Sequence, residues 1–200
     1  EGNWWRSEVL ACHALQIFDD KDYQHGQAHT HNHLGALYQR MNLWEKSETH
    51  LQTACRFWEA MADHHGLFRG LQNLGSLYNK MDKPQEAISY LEKALAYIEK
   101  TGEQGGLPTA YLNLSNSYSL LGEFDQAESL IKQAETLYQQ NANLLGVYKA
   151  WENFGTVYQQ QQRWQKAERY YEAALQGYRD LNYVEGYRRV EVFVNERKKG

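Results

Sequence analysis

Two hundred residues with only two prolines, rich in Gln, Ala, Leu, Glu and Tyr, describe a helical chain long enough to bury a substantial core without covalent staples. No apolar run approaches the roughly 18 residues needed to span a bilayer, and the opening EGNWWRSEVL has neither the basic nor the apolar region of a signal peptide. The net charge of −4, with one dense basic stretch in the terminal Arg-Lys-Lys, gives no general attraction to nucleic acid and argues against it as the main partner. The chain does not start with Met, as expected of a piece of a longer protein or a processed form. Cys12 and Cys55 are too few for a disulfide framework; both fall among apolar residues and are expected as buried, reduced thiols in a cytoplasmic protein.

A period of 40 residues organises everything else. HLGALY at 33–38 returns as NLGSLY at 73–78, NLSNSY at 113–118 and NFGTVY at 153–158, so Tyr38, Tyr78, Tyr118 and Tyr158 are evenly spaced. In chain order, residues 1–23 place Trp4, Ala11, Ala14 and Phe18 where Trp44, Leu51, Ala54 and Trp58 stand later, and predict a lone second helix (helix B) of a unit. Residues 24–63 hold the first full unit. Its helix A has apolar residues at 34, 37, 38 and 41, a short turn follows at 41–44, and helix B carries Leu51, Ala54, Cys55 and Trp58. Units 64–103, 104–143 and 144–183 repeat the scheme, with turns at 81–84, 121–124 and 161–164. Residues 184–200 predict a lone helix A or a cap. A glycine recurs at 26, 66, 106, 146 and 186 between each helix B and the next helix A, where it is expected to end the helix in a left-handed residue.

Small residues explain how such helices would meet. Gly35, Gly75, Ser115 and Gly155 share one column of helix A; Ser47, Ala87, Ala127 and Ala167 share one column of helix B, and Ala54, Ala94, Ala134 and Ala174 another. A larger side chain at such a crossing would cost about 1–3 kcal/mol. The Leu-Gly-x-x-Tyr of helix A with the Ala columns of helix B resembles the tetratricopeptide repeat over residues 24 to 183. The 40-residue unit exceeds the usual repeat of about 34 and is similar to the long repeats of kinesin light chains, spindle-orientation adaptors and bacterial signal-transducing regulators. The resemblance implies an all-α fold: an α-solenoid of stacked antiparallel helix pairs in a right-handed superhelix, 1–200 as a single array, with the extra residues lengthening helix B and its following turn.

The resemblance also implies that five positions of each helix A line a concave groove. The binding residues expected there are Asn32, Gln39, Arg40, Arg69, Gln72, Asn79, Lys80, Leu112, Asn116, Leu120, Lys149, Glu152 and Arg189. The full set of groove positions pools five Lys or Arg with one acid in a chain that is acidic overall. That chemistry suits an extended peptide or flexible protein segment bearing carboxylates, with Leu112 and Leu120 as a small apolar spot for an anchor. Two familiar ligands do not carry over. Clamps for a C-terminal carboxylate want Asn after the signature Gly, where Ala36, Ser76 and Thr156 stand here; the Asn ladder of spindle adaptors is reduced to Asn116.

All eight histidines lie within the first 65 residues, so full protonation would move the net charge from −4 to +4 and confine the change to the N-terminal half. His29 and His33, four apart on helix A, are weak candidates for zinc or nickel, with no further ligand spaced to complete a shell. No phosphate loop, nucleophile elbow, His-Glu-x-x-His or Cys-x-x-Cys occurs. The expectation is therefore a non-enzymatic scaffold without cofactor or membrane segment, binding a protein, a peptide or another domain of its own chain. Resemblance to bacterial regulators points to a sensor arm of a larger signalling protein. The alternatives are a small-molecule or signal-peptide sensor, and a structural spacer that self-associates through its end helices.

Overall fold

In a computed structural model, which describes residues 4–102 and 104–197, all regular structure is α-helical and ten helices follow one another. They are α1 (Trp4–Asp20), α2 (Gln24–Arg40), α3 (Trp44–Ala60), α4 (His64–Lys80) and α5 (Pro84–Thr101), then α6 (Leu107–Leu120), α7 (Phe124–Gln140), α8 (Leu144–Gln160), α9 (Trp164–Asp180) and α10 (Val184–Arg197). The chain divides into two compact units, Glu1–Gln104 and Gly105–Gly200. In each, consecutive helices pack as stacked antiparallel pairs, the arrangement of an α-solenoid, and alternate helices also touch: α2 with α4 in the first unit, α6 with α8 in the second.

Most helices, of type A and type B alike, are 17 residues long. The extra length of the repeat is thus not concentrated in helix B and its turn. Except between α5 and α6, helices are joined by three residues, and the middle one is left-handed: Asp22, Asn42, Ala62, Asp82, Gly122, Ala142, Gln162 and Asn182, with φ between 48° and 79°. In each joint the third residue's N–H donates to a carbonyl five residues back, as Leu43 does to Tyr38 at 2.9 Å and Asn143 to Tyr138 at 2.8 Å. This is the Schellman closure, which satisfies a carbonyl left over at the helix end. The accepting residues Phe18, Tyr38, Trp58, Tyr78, Tyr118, Tyr138, Tyr158 and Tyr178 recur every 20 residues, so the joint has half the period of the repeat. Ile98 breaks the series at the longer joint, where Gly102 supplies the left-handed residue.

The recurring glycines therefore do not stop helices. Gly26, Gly66, Gly146 and Gly186 lie inside α2, α4, α8 and α10, two residues after the helix start, and Gly106 caps α6 with φ −93°. Their role is close approach: a Cβ on Gly66 would lie 2.4 Å from the Trp58 ring, and one on Gly146 would lie 2.2 Å from the Tyr138 ring. Asp63 and Asn143 cap these two helices by accepting from the glycine N–H, each at 2.9 Å. Gly35, Gly75 and Gly155 serve the helix crossings, where a Cβ would meet Leu51, Leu91 and Tyr171 at 2.5–2.6 Å.

The cores are the expected columns. Leu34, Leu51, Ala54, Trp58, Leu74 and Leu77 are buried in the first unit, and Ile131, Ala134, Ala150, Val157, Ala174 and Tyr178 in the second. Cys55 is half-buried against Gly70, and burial pushes its thiol up to about 12. Cys12 is exposed, contrary to expectation, because its column faces outward in every helix B: Gln52, Glu92, Lys132 and Glu172 are exposed at the same position. At the other end Val190 and Val194 point into the core while Val192 and Phe193 stay exposed.

Candidate functional site

The signature tyrosines carry a feature their spacing conceals. Tyr38, Tyr78 and Tyr158 donate their hydroxyls to Glu8, Glu48 and Glu128, each 30 residues earlier on the preceding helix B, at 2.7, 2.6 and 2.8 Å. Burial, reinforced by the carboxylate that holds the proton, raises all three phenols, Tyr38 to about 12. The position equivalent to these glutamates before Tyr118 is Ile88. Subtracting Glu from Tyr positions would have revealed the ladder from sequence. These residues are structural links, and they fix the register of α2, α4 and α8 against the helix B before each.

In the first unit the expected binding residues separate into buried and exposed sets. Asn32, Gln39 and Gln72 are buried. Asn32 accepts from Asn73 at 2.7 Å and Gln39 donates to Ser76 at 3.3 Å, so these amides tie α2 to α4. Arg40, Arg69 and Lys80 are exposed, and Asn79 is half-buried beside them in sequence. The Arg40 guanidinium lies over the Trp4 ring at 4.9 Å. His29 and His33 turn to different neighbours: His29 meets the Trp58 ring edge-on at 5.6 Å, and His33 bonds the Ser7 hydroxyl at 3.1 Å. Among the described residues no three His, Cys, Asp or Glu side chains are grouped to hold a metal.

One histidine pair was not foreseen. His31 and His50 bring their Nδ1 atoms within 2.9 Å on facing helices α2 and α3, between the rings of Phe57 and Tyr38. Burial lowers both from their ordinary value. His31 is lowered further by His50 and Arg56 against an opposing pull from Asp19, and His50 by Lys46.

In the second unit the corresponding face is largely paired within itself. Leu112 is buried in the core at the α6–α8 contact, so it makes no surface spot with Leu120, which is exposed. Asn116 is half-buried. Ser119 donates to Gln160, and Lys149 lies 5.7 Å over the Tyr183 ring. Glu152 receives two guanidinium hydrogen bonds from Arg189 and one from the Tyr178 hydroxyl. The sequence columns place Glu152 and Arg189 on equivalent faces of neighbouring helices, but cannot show that they cancel each other.

Stacked antiparallel helix pairs with side chains presented from helix A define a helical-repeat scaffold. The tetratricopeptide repeat family model matches residues 26–100 and 67–140, a second model of the same family matches residues 150–182, and the chain belongs to that family. No curated protein sequence matches the chain. Among solved structures it is similar to BtubC (BKLC) from P. vanneervenii, with 18% identity and a TM-score of 0.72 over 100% of this chain and 91% of that one. A Rap protein complexed with Competence and Sporulation Factor follows at 16% and 0.71, covering 98% of this chain and 59% of that one. A signal transduction ATPase with numerous domains and a tetratricopeptide repeat sensor, from Pyrococcus horikoshii, follows at 16% and 0.67, covering 96% and 32%. The chain thus spans less than two thirds of the Rap protein and about a third of the ATPase, and at these identities the fold is what is shared. Among the described residues no helix is long and apolar enough to cross a membrane.

Proposed function

We propose that the chain is a non-enzymatic protein-interaction scaffold whose first unit holds an acidic segment of a partner protein or peptide. One observation carries the reading: Arg40, Arg69 and Lys80 on α2 and α4 are exposed, whereas Glu152, the sole acid of the expected binding positions, sits in the other unit and is engaged by Arg189. Exposed guanidinium and ammonium groups beside the half-buried Asn79 suit a backbone with carboxylate side chains. The similar Rap structure, determined with Competence and Sporulation Factor bound, and the ATPase whose repeats are named a sensor support a ligand-holding role. In this reading the chain is the sensor arm of a signalling protein in the cytosol, where its two free thiols stay reduced.

The test is affinity capture from lysate of the source cell with the wild-type chain and with a variant carrying Arg40→Glu, Arg69→Glu and Lys80→Glu. A protein retained by the wild type, lost by the variant and released by added salt supports the reading. Equal retention by both, or none by either, overturns it.

A second reading, self-association through an end helix, is favoured by α1, on which Trp5 is 70% and Leu10 68% exposed. Mass measured by light scattering would rise with concentration and return to that of a monomer in Trp5→Glu with Leu10→Glu. A constant mass across a hundredfold range of concentration removes it.

A further inference from the structure

Helix B opens with an aromatic residue and carries a glutamate one turn later in four of the five copies: Trp4 and Glu8, Trp44 and Glu48, Phe124 and Glu128, Trp164 and Glu168. In the first three the glutamate receives the signature tyrosine of the following helix A. The fourth differs, because position 198 carries Lys where the others carry Tyr. Glu168 is exposed and has no hydrogen-bond or ion-pair partner among the described residues.

Beside Glu168 the second unit contains a cavity of about 290 Å³, bounded by Gln159 of α8, by Trp164 and Tyr171 of α9, and by Phe193 and Val194 of α10. Tyr171 and Phe193 stack in parallel, with ring centroids 5.7 Å apart and planes within 6°. Tyr171 is buried, its ring packed on Gly155 and its hydroxyl donating to Gln159 at 2.7 Å, so it forms the floor on which Phe193 is held. At the rim Trp164 is 41% and Phe193 42% exposed.

We propose that this frame is a receptor for a cationic side chain, Arg or Lys, of a partner segment. An exposed carboxylate among aromatic faces favours a positive head on an apolar stem, since the carboxylate and the ring quadrupoles attract the same charge. The molecule already stacks cations on aromatics of such frames: Arg40 covers Trp4 at 4.9 Å, and Arg163 and Lys166 cover Tyr158 at 5.1 and 5.0 Å. The site lies in the second unit and prefers the opposite charge to the acid-binding face of the first, so the two assignments stand or fall separately.

The experiment is a nuclear magnetic resonance titration of the full chain with N-acetyl-arginine amide, its neutral isostere N-acetyl-citrulline amide, and N-acetyl-tyrosine amide. Expected are saturable shifts at the Trp164 indole N–H and the backbone of residues 167–171 and 193–194, with millimolar affinity for the arginine compound. The other two compounds should bind at least about fivefold more weakly. Glu168→Gln, a change at an exposed helix position that leaves the fold intact, should lose that preference. Equal binding of citrulline or tyrosine, unchanged binding by Glu168→Gln, or no saturable shift overturns the proposal. A chain ending at Arg197 should bind no more tightly than the full chain; a gain of about fivefold or more would assign the site to the protein's own terminal lysines and overturn a partner's role.

Discussion

Arg189 of α10 engages Glu152 of α8 through two guanidinium nitrogens, one of them 2.7 Å from Oε2. The carboxylate raises the arginine further above its ordinary range, while burial opposes that shift. Glu152 is the more buried partner, with its side chain 14% exposed, and it also accepts from Tyr178 at 2.6 Å. Removing the arginine would leave a mostly buried carboxylate with one donor.

Arg189→Ala is therefore expected to destabilise the chain by about 1–2 kcal/mol, at the upper end for a partly exposed pair because the fork is bidentate. Urea unfolding of Arg189→Ala, Glu152→Gln and the double variant gives the coupling directly. Strictly additive effects would show that the pair contributes nothing.

The His31–His50 contact predicts acid sensitivity of the first unit. Both histidines are depressed in the folded state, chiefly by burial, so as pH falls the unfolded chain takes up protons first, near 6.5. Their contribution is present above that value and is lost as pH drops through the lower folded values. Stability should decline between about pH 7 and 5.5, and His50→Gln should flatten the decline. A midpoint that does not move over that range counts against the coupling.

The tyrosine ladder predicts a loss at the alkaline end. The unfolded chain releases its phenolic protons near pH 10, whereas the folded chain holds them longer, Tyr38 to about 12. The native state then binds more protons, so stability is intact below pH 10 and falls as pH rises through the folded values. Tyr78→Phe should cost about 1 kcal/mol at neutral pH and make the alkaline fall shallower. Unfolding midpoints between about pH 9 and 11.5 give the slope.

The joints and the close approaches respond to glycine in opposite directions. Ala62 and Ala142 hold φ of 53° and 51°, which strains a residue with a Cβ. Ala62→Gly should therefore stabilise by about 0.5–1 kcal/mol after the chain-entropy cost. Gly66→Ala presses a methyl group onto the buried Trp58 ring and should cost about 2 kcal/mol or more. Melting temperatures of the two variants, moving apart from the wild type, would bear this out.

Tyr38, Tyr78, Tyr118 and Tyr158 made the all-α repeat fold and its columns legible, because a period survives however much the residues between vary. What a residue does within its column was harder to see. Gly66 and Gly146 look like helix stops until their dihedrals are known, while the true left-handed positions before them hold Ala62 and Ala142, which carry no turn signal. The candidate site was legible in its charges and not in its pairings. Helix position alone cannot distinguish Arg69, which is exposed, from Gln72, which is buried on the same helix three residues later. Nor does it show that Arg189 meets Glu152, since both belong to columns assigned to one face.

The three-residue joints also limit how such a gene can change length. One residue gained or lost within a helix turns everything beyond it by about 100°. An indel between Glu128 and Tyr158 would swing the hydroxyl off its carboxylate and face polar columns inward. Duplicating or deleting a whole block of 40 codons leaves each joint and each Tyr–Glu rung in phase. Array length is thus quantised for such a chain, and its lineage should diverge by whole blocks far more readily than by single codons.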